Sequence, residues 1–205
     1  MRIAMIVEGK TETAFVPHLR TYLETHLRGR MPNLDPLPYD GRIPSGDKLR
    51  RVVQKLLQDR CRPADHVIAL TDVYTGASPP DFEDATDALK KMRDWVGNES
   101  RFHPHAAQHD FEAWLLPYWS DIQRLAGHNL AAPRGNPENV NHEKPPSERI
   151  KEIFRIGSRG RAYVKPRDAG RILRDNDLSV AVLQCSRLKA LMNTILGICG
   201  APQIP

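Results

Sequence analysis

The sequence predicts an α/β fold built on a mostly parallel sheet. Strand-like segments alternate with segments of helical periodicity along the first 125 residues. Two of the strand segments, Arg2–Val7 and residues 66–71, are almost continuously apolar, which is typical of strands covered by helices on both faces. Glu8 and Asp72 follow these two segments directly. Parallel strands end at one edge of a sheet, so the pattern also predicts a polar site at that edge.

Size and composition indicate a single folded unit. The chain has 205 residues, of which 40% are hydrophobic and 27% charged, the balance of an ordinary globular domain. We expect an α/β core over residues 1–125, and a loop and helical C-terminal extension over residues 126–205 packed on the same domain.

Nothing in the sequence predicts export or membrane insertion. No apolar run is long enough to cross a bilayer, and Glu8 interrupts the first apolar run before a signal peptide core could form. Cys61, Cys185 and Cys199 are far apart, so neither a disulfide framework nor a cysteine zinc site is expected. We therefore expect a cytoplasmic protein without a membrane partner.

The chain is basic, with a formal charge of +5. This charge permits binding to polyanions without requiring it. One stretch concentrates the basic residues: Arg149, Lys151, Arg155, Arg159, Arg161, Lys165, Arg167, Arg171 and Arg174. The stretch is either a solvated face or a track for a phosphate backbone.

The first unit is a strand, a turn and a helix. The strand Arg2–Val7 leads into the turn at residues 8–10, and Thr11 offers an N-cap side chain. Apolar residues at helical spacing then predict a helix over residues 13–27.

The middle of the chain continues the alternation. Prolines between residues 31 and 44 exclude a helix and leave room for a short edge strand at about residues 37–41. Asp47 is the expected cap of a helix that reaches about residue 59, and residues 66–71 form the next strand. A helix over residues 82–95 and a strand over residues 102–108 follow.

The C-terminal part is predicted to be helical after a surface loop. Residues 131–146 are rich in proline, asparagine and charge, which is typical of a loop. Four helices are expected beyond it, at residues 146–154, 168–174, 178–183 and Ser186–Ile198.

Acidic residues collect where the strands end. Glu8, Asp72, and Asp110 with Glu112 follow the first, central and fourth strands. Clustered carboxylates repel one another, and a hard divalent cation such as Mg²⁺ or Mn²⁺ relieves that repulsion. Glu12 lies one helical turn after Glu8, where it could join the site or cap the helix.

Other readings of the acidic residues stay open at this point. Backbone amides could satisfy Glu8, and Asp72 could form an Asx turn with Thr75 and Gly76. The sequence does not decide whether Asp110 or Glu112 faces the site.

Gly9, Lys10 and Thr11 match the end of a phosphate-binding loop motif. Ala4 stands where that motif requires a glycine, so triphosphate binding is not expected. A single phosphate could still rest on the amides of residues 9–12.

Several segments together resemble a known group of proteins. They are residues 7–12 (VEGKTE), 70–76 (LTDVYTG), 108–113 (QHDFEA), 136–141, 146–150 and 184–188. They resemble the signatures of an uncharacterised bacterial family of Toprim-like proteins, related to the nuclease domain of the OLD (overcoming lysogenisation defect) family. The resemblance implies a three-layer sandwich with a four-stranded parallel sheet and helices on both faces.

The resemblance also implies site roles. Toprim domains hold Mg²⁺ with a glutamate after the first strand and an Asp-x-Asp after the third, for cleavage or transfer at phosphodiesters. Glu8 and Asp72 match these positions, and Glu12 resembles a second acidic residue of the first motif in OLD-type nucleases. Lys165 is the candidate for the lysine that OLD-type enzymes place near the scissile phosphate, with a solvated lysine as the alternative.

Tyr74 departs from the Toprim pattern, because it occupies the position of the second aspartate. A phenol titrates near pH 10 and is a poor Mg²⁺ ligand at neutral pH. Asp110 or Glu112 would therefore have to complete a two-metal site.

The resulting expectation is a Mg²⁺-dependent nuclease. Glu8, Asp72 and Glu112 would hold metal, and Lys165 or Arg149 would offset developing charge. A phage-defence setting with nucleic acid and an ATPase as partners follows from the resemblance. The alternatives are a non-catalytic subunit of the same shape that binds nucleic acid or the ATPase, and, with less support, nucleotidyl transfer. The oligomeric state is left open.

Overall fold

Four parallel strands form the only sheet in the described part of the chain. The computed structural model describes residues 1–74, 80–140, 144–158 and 160–205. The strands are β1 (Arg2–Val7), β2 (Asn33–Pro38), β3 (His66–Asp72) and β4 (Phe102–Ala107). They are ordered β2-β1-β3-β4, with β1 and β3 at the centre. The predicted α/β class with a four-stranded parallel sheet is confirmed.

Helices supply the outer layers of the fold. They are α1 (Lys10–Leu27), α2 (Gly46–Leu57), α3 (Ala85–Val96), α4 (Trp119–Ala126), α5 (Pro146–Ile156), α6 (Lys165–Arg174), α7 (Leu178–Gln184) and α8 (Ser186–Ile198). A 3-10 helix at Phe111–Tyr118 follows β4, and a shorter one lies at Pro137–Asn139. Within the same described ranges, no helix combines the length and apolarity needed to cross a membrane.

The two faces of the sheet belong to two apolar cores. Alternate strand residues such as Ala4 and Val67 face α2 and α3, whereas Ile3 and Ile68 face α1 and the helices after β4. The core on the second face combines residues from distant parts of the chain, including Phe15, Trp114, Phe154 and Leu191. Residues beyond 126 therefore help to build the layer that contains α1, while the division of the chain at residue 125 stays a prediction.

Two helix starts differ from the sequence expectation. Helix α1 begins at Lys10 because the Glu12 carboxylate accepts a hydrogen bond from the Gly9 amide at 2.9 Å. Gly9, rather than Thr11, is thus the N-cap, and Thr11 is buried. Helix α2 is capped at Ser45 rather than Asp47.

The edge strand β2 lies four residues before its predicted position. The Arg2 guanidinium contacts the Asp35 carboxylate at 2.7 Å, which fixes this segment beside β1. Pro36 and Pro38 lie within β2, and Pro104 lies in β4 at the opposite edge. Proline is tolerated there because an edge strand has a neighbour on one side only.

Smaller shifts have local causes. Helix α3 begins at Ala85 rather than residue 82, since the Asp84 carboxylate accepts a hydrogen bond from the Asp87 amide at 2.8 Å. Helix α6 begins at Lys165 rather than residue 168, because the Asp168 carboxylate bonds the Val164 amide at 2.9 Å. Residues 109–118, which follow the predicted fourth strand, are a turn and a 3-10 helix.

Candidate acidic site at the carboxyl end of the sheet

Glu8 and Asp72 lie side by side where the two central strands end. Val7 pairs with Leu70, so Glu8 follows β1 beside the end of β3. Glu8 Oε1 accepts hydrogen bonds from the Asp72 amide at 2.9 Å and from the Thr71 hydroxyl. One backbone amide therefore satisfies part of Glu8, and the same bond holds Glu8 against Asp72.

The turn after β4 brings Asp110 to the same edge. His109 has a left-handed backbone with φ of 67°, which is uncommon for residues other than glycine and turns the chain sharply. Two residues after His109, the Phe111 amide donates a hydrogen bond to Asp72 Oδ1 at 2.9 Å. Asp110 Oδ2 accepts from the Ser147 amide at 3.1 Å, whereas Oδ1 is buried without a hydrogen-bond partner in the described part of the chain.

Glu112 reaches the cluster from the 3-10 helix and is fully buried. Its Oε2 accepts from Lys165 Nζ at 3.0 Å, and its Oε1 accepts from the Tyr163 hydroxyl at 3.3 Å. Lys165 and Tyr163 come from the segment that enters α6. Asp110 and Glu112 therefore both face the site.

Glu12 adds a fifth carboxylate. It caps α1 through the Gly9 amide, and its charge interacts with those of Glu8 and Glu112. The two roles considered for Glu12, helix cap and member of the acidic cluster, are therefore compatible. We call Glu8, Glu12, Asp72, Asp110 and Glu112 the acidic cluster.

Burial and mutual repulsion make ionisation of the cluster costly. Burial raises the pKa of Glu8 to about 7, with a further contribution from Glu12. Burial likewise raises the pKa of Glu112 to about 7, and Asp110 adds to the effect. The pKa of Asp72 is raised well above its usual value by burial and then by Glu8. Near neutral pH the cluster therefore favours either protons or a cation.

Lys165 is the cationic member of this site. Burial alone would lower its pKa, but the carboxylates of Glu112 and Asp72 outweigh burial and raise the pKa overall. The ammonium also interacts electrostatically with Glu8, Glu12 and Asp110. Lys165 thus remains charged and compensates part of the acidic cluster.

The other predicted residues lie nearby or face away. The Gly9 amide is occupied by Glu12, Lys10 is exposed, and Thr11 is buried. Arg149 lies on α5, the helix whose first turn binds Asp110. Tyr74 is 60% exposed. The alternative Asx turn with Thr75 and Gly76 falls outside the described residues.

Sequence reasoning missed the residues that hold the carboxylates in place. Thr71, Ser147 and Tyr163 supply the hydrogen bonds to Glu8, Asp110 and Glu112. Thr71 adjoins Asp72, and Tyr163 lies two residues before Lys165, so closeness to a candidate residue was the available signal. Ser147 is far from Asp110 in sequence, and its place in the family-like segment 146–150 was the only signal.

The donors suit a hard cation, although no ready-made metal site is present. Carboxylate oxygens are the ligands that Mg²⁺ and Mn²⁺ prefer, and the bare Asp110 Oδ1 is an unused one. In residues 1–74, 80–140, 144–158 and 160–205, however, no three acidic, histidine or cysteine side chains form a group that could already hold an ion. The chemistry of the acidic cluster fits a divalent cation, and in the present arrangement Lys165 compensates part of its negative charge.

The stability of the chain should fall with pH when no divalent cation is present. A raised carboxyl pKa favours the folded state fully below the unfolded value of 4.5, and this contribution is lost as the pH rises through about 7. For Glu8 we expect a loss of about 1–3 kcal/mol of unfolding free energy between about pH 5 and pH 8. Urea unfolding in EDTA would measure it.

Two comparisons make this test specific. Glu8→Gln should flatten the pH dependence, whereas Glu24→Gln, an exposed change on α1, should leave it as in the wild type. Mg²⁺ at millimolar concentration should restore stability at about pH 8, because a ligand of the folded state stabilises it. Identical unfolding curves with Mg²⁺ and with EDTA would argue against cation binding.

Comparisons with known proteins bear on the family and the fold. The model of the domain of unknown function DUF4276 matches residues 7–196. The structure is similar to the C-terminal region of the Burkholderia pseudomallei OLD protein, with a TM-score of 0.53 and 15% identity over 97% of this chain and 98% of that one.

A second OLD protein gives a similar result. The C-terminal region of the Xanthomonas campestris pv. campestris OLD protein has a TM-score of 0.51 and 14% identity over 97% of this chain and 96% of that one. No curated protein matches the sequence. At these identities the likeness establishes the fold, which is Toprim-like. Because the family model covers most of its length, the chain belongs to the DUF4276 family.

Proposed function

We propose that the chain is a Mg²⁺-dependent phosphodiester hydrolase, and specifically a nuclease. The observation that carries the proposal is that five carboxylates and the partly buried Lys165 come together at the carboxyl end of a parallel sheet. Stability alone does not call for such a cluster, because its members raise one another's pKa. A site that receives a cation and a phosphate accounts for the arrangement.

Glu8 and Asp72 would be the principal holders of Mg²⁺ or Mn²⁺, completed by Glu112 or Asp110 and supported by Glu12. A bound divalent cation polarises a phosphoryl oxygen and lowers the pKa of bound water. Thr71 orients Glu8 through its hydroxyl, and the Phe111 amide orients Asp72. These bonds hold the two carboxylates in fixed positions at the sheet edge.

Lys165 would bind the phosphate of the substrate. In the present arrangement its ammonium pairs with Glu112 at 3.0 Å. When a cation neutralises the carboxylates, the ammonium becomes available to an anionic oxygen and can offset charge that develops there. Tyr163 would keep Glu112 oriented through its hydroxyl.

Cleavage assays test this proposal directly. Plasmid, single-stranded DNA and RNA would be incubated with the full chain and Mg²⁺ or Mn²⁺, with EDTA as the control. We expect cleavage that requires the divalent cation. Cation binding without cleavage of any of these substrates would contradict the nuclease assignment.

One observation favours a second candidate, a non-catalytic subunit of the same shape. Tyr74, which stands where Toprim proteins carry their second aspartate, is exposed to solvent and offers no carboxylate. Lys165 also already compensates Glu112. In that case nucleic acid or an ATPase would bind without Mg²⁺, and Glu8→Gln would leave binding unchanged.

We also propose the biological setting from the family resemblance. The chain would work in the cytoplasm beside an ATPase partner, in defence against phage. Co-purification with the product of a neighbouring ATPase gene would test the partnership, and the absence of any complex would contradict it.

A further inference from the structure

A groove opens beside the acidic cluster, between α5 and the segment that enters α6. It has a volume of about 510 Å³, and Lys151, Phe154, Arg155, Arg161, Ala162 and Tyr163 line it. Its size is within the range of pockets that take a small organic ligand. The groove is distinct from the carboxylates themselves, none of which lines it.

One tyrosine joins the groove to the acidic cluster. Tyr163 forms part of the groove wall, and its hydroxyl donates to Glu112 at 3.3 Å. Lys165 lies two residues further along and binds the other Glu112 oxygen. A molecule in the groove would therefore extend from the place where the proposed chemistry occurs.

The lining combines cations with an apolar wall. Arg155 is exposed and has no ion pair among the described residues, whereas Lys151 has a surface partner in Glu148. Arg161 lies with its guanidinium carbon 5.1 Å from the centre of the Phe154 ring. Phe154 and Tyr163 are largely buried, so the groove presents positive charge beside a small apolar surface, a combination that suits an anion with a planar group.

Two exposed aliphatic residues adjoin lining residues of the groove in sequence. Ile156 is 40% exposed and Val164 is 44% exposed, although both are large aliphatic side chains. Exposed apolar residues next to cations are typical of surfaces that contact bases and phosphates at once. The acidic cluster, which Tyr163 contacts through Glu112, would repel a phosphate in the groove. The Lys165 ammonium, which also contacts Glu112, would offset that repulsion.

We propose that this groove holds an unpaired nucleotide of a single-stranded nucleic acid, a substrate class that rests on the proposed function. The phosphates would contact Lys151 and Arg155, and the base would lie against the apolar wall formed by Ala162 and Tyr163. A duplex keeps its bases stacked inside and cannot present one to such a wall. An acidic peptide supplies the charge but no planar base.

Binding in EDTA tests the groove separately from the metal chemistry. Fluorescence anisotropy of the full chain would be measured with a labelled single-stranded oligonucleotide and with the corresponding duplex. We expect the single strand to bind more tightly. The double variant Arg155→Glu with Lys151→Glu should weaken single-strand binding about tenfold or more. The slope of log K against log salt should fall by the amount expected for the loss of about two phosphate contacts.

A filled groove and a charge-matched control complete the experiment. Ala162→Trp fills the groove at an exposed position without changing its charge. A loss of binding affinity of about fivefold or more would show that the groove itself is occupied. Lys55→Glu with Arg60→Glu, both exposed and in or just after α2, should leave binding unchanged.

Three outcomes would overturn the proposal. They are equal loss in the control pair, no effect of Ala162→Trp, and competition by a poly-glutamate peptide as strong as that by the unlabelled oligonucleotide. The binding assay contains no divalent cation, so it is independent of the cleavage assay. Either the binding proposal or the nuclease proposal can fail while the other holds.

Discussion

Glu8→Gln and Asp72→Asn should each lower Mg²⁺-dependent cleavage by about 1,000-fold or more. A bound divalent cation contributes several kcal/mol to stabilising a phosphoryl transition state, and each 1.36 kcal/mol corresponds to tenfold in rate. Both changes preserve side-chain size and remove a repelling charge, so the folded state should keep its stability. Initial rates on a fluorescent oligonucleotide would measure the loss.

Matched variants separate this effect from damage to the fold. Glu24→Gln, an exposed change on the helix that also carries Glu12, should keep the wild-type rate. Thr71→Val removes the hydroxyl that binds Glu8 and should cost about 10- to 100-fold, as expected for a residue that orients a ligand. Full activity in Glu8→Gln would remove the acidic cluster from the mechanism.

Asp168→Ala should destabilise the chain by about 2–3 kcal/mol, the cost of losing a buried carboxylate that accepts charge-assisted hydrogen bonds. The Asp168 side chain is fully buried against Arg161 at 3.0 Å and Arg167 at 2.9 Å, and a third guanidinium, that of Arg171, lies 3.7 Å away. Its removal leaves these charges and the Val164 amide without their acceptor. Chemical denaturation at neutral pH would measure the change.

Asp175→Ala provides the control for this prediction. Asp175 follows α6 and is exposed, so its loss should cost about 1 kcal/mol or less. Burial raises the pKa of Asp168, but hydrogen bonds from Arg167 and the Val164 amide outweigh it and lower the pKa overall. The stabilisation is therefore present above the unfolded pKa of 3.8 and lost as the pH falls through the folded value. An Asp168→Ala protein as stable as the wild type would contradict the ion-pair account.

The two central strands and the position of the acidic residues at their ends could be read from the sequence because they rest on local patterns. The apolar runs that became β1 and β3 have few other ways to be buried, and Glu8 and Asp72 directly follow them. Parallel pairing then brings the two carboxylates to one edge. Helix α8 could be read with its full extent because its apolar period is uninterrupted.

Features that leave no mark in the pattern of apolar residues could not be read from the sequence. Asp110 follows the left-handed His109 and Glu112 lies in the 3-10 helix, and hydrophobic periodicity gives no signal for either feature. Asp168 sits within the run of basic residues, and only the structure brings the three arginines around it. Thr11 seemed the better cap from its side chain, whereas the reciprocal bond between Gly9 and Glu12 moved the start of α1.

The prolines of β2 and β4 also bear on how this protein can assemble. A proline has no amide hydrogen, so Pro36 and Pro38 on one border and Pro104 on the other interrupt the row of donors that an added strand would need. Self-association through a continuous sheet that runs from one copy to the next is thereby disfavoured. Complexes with a second copy or with another protein should form through helices and loops, which leaves the strand ends that carry the acidic cluster uncovered.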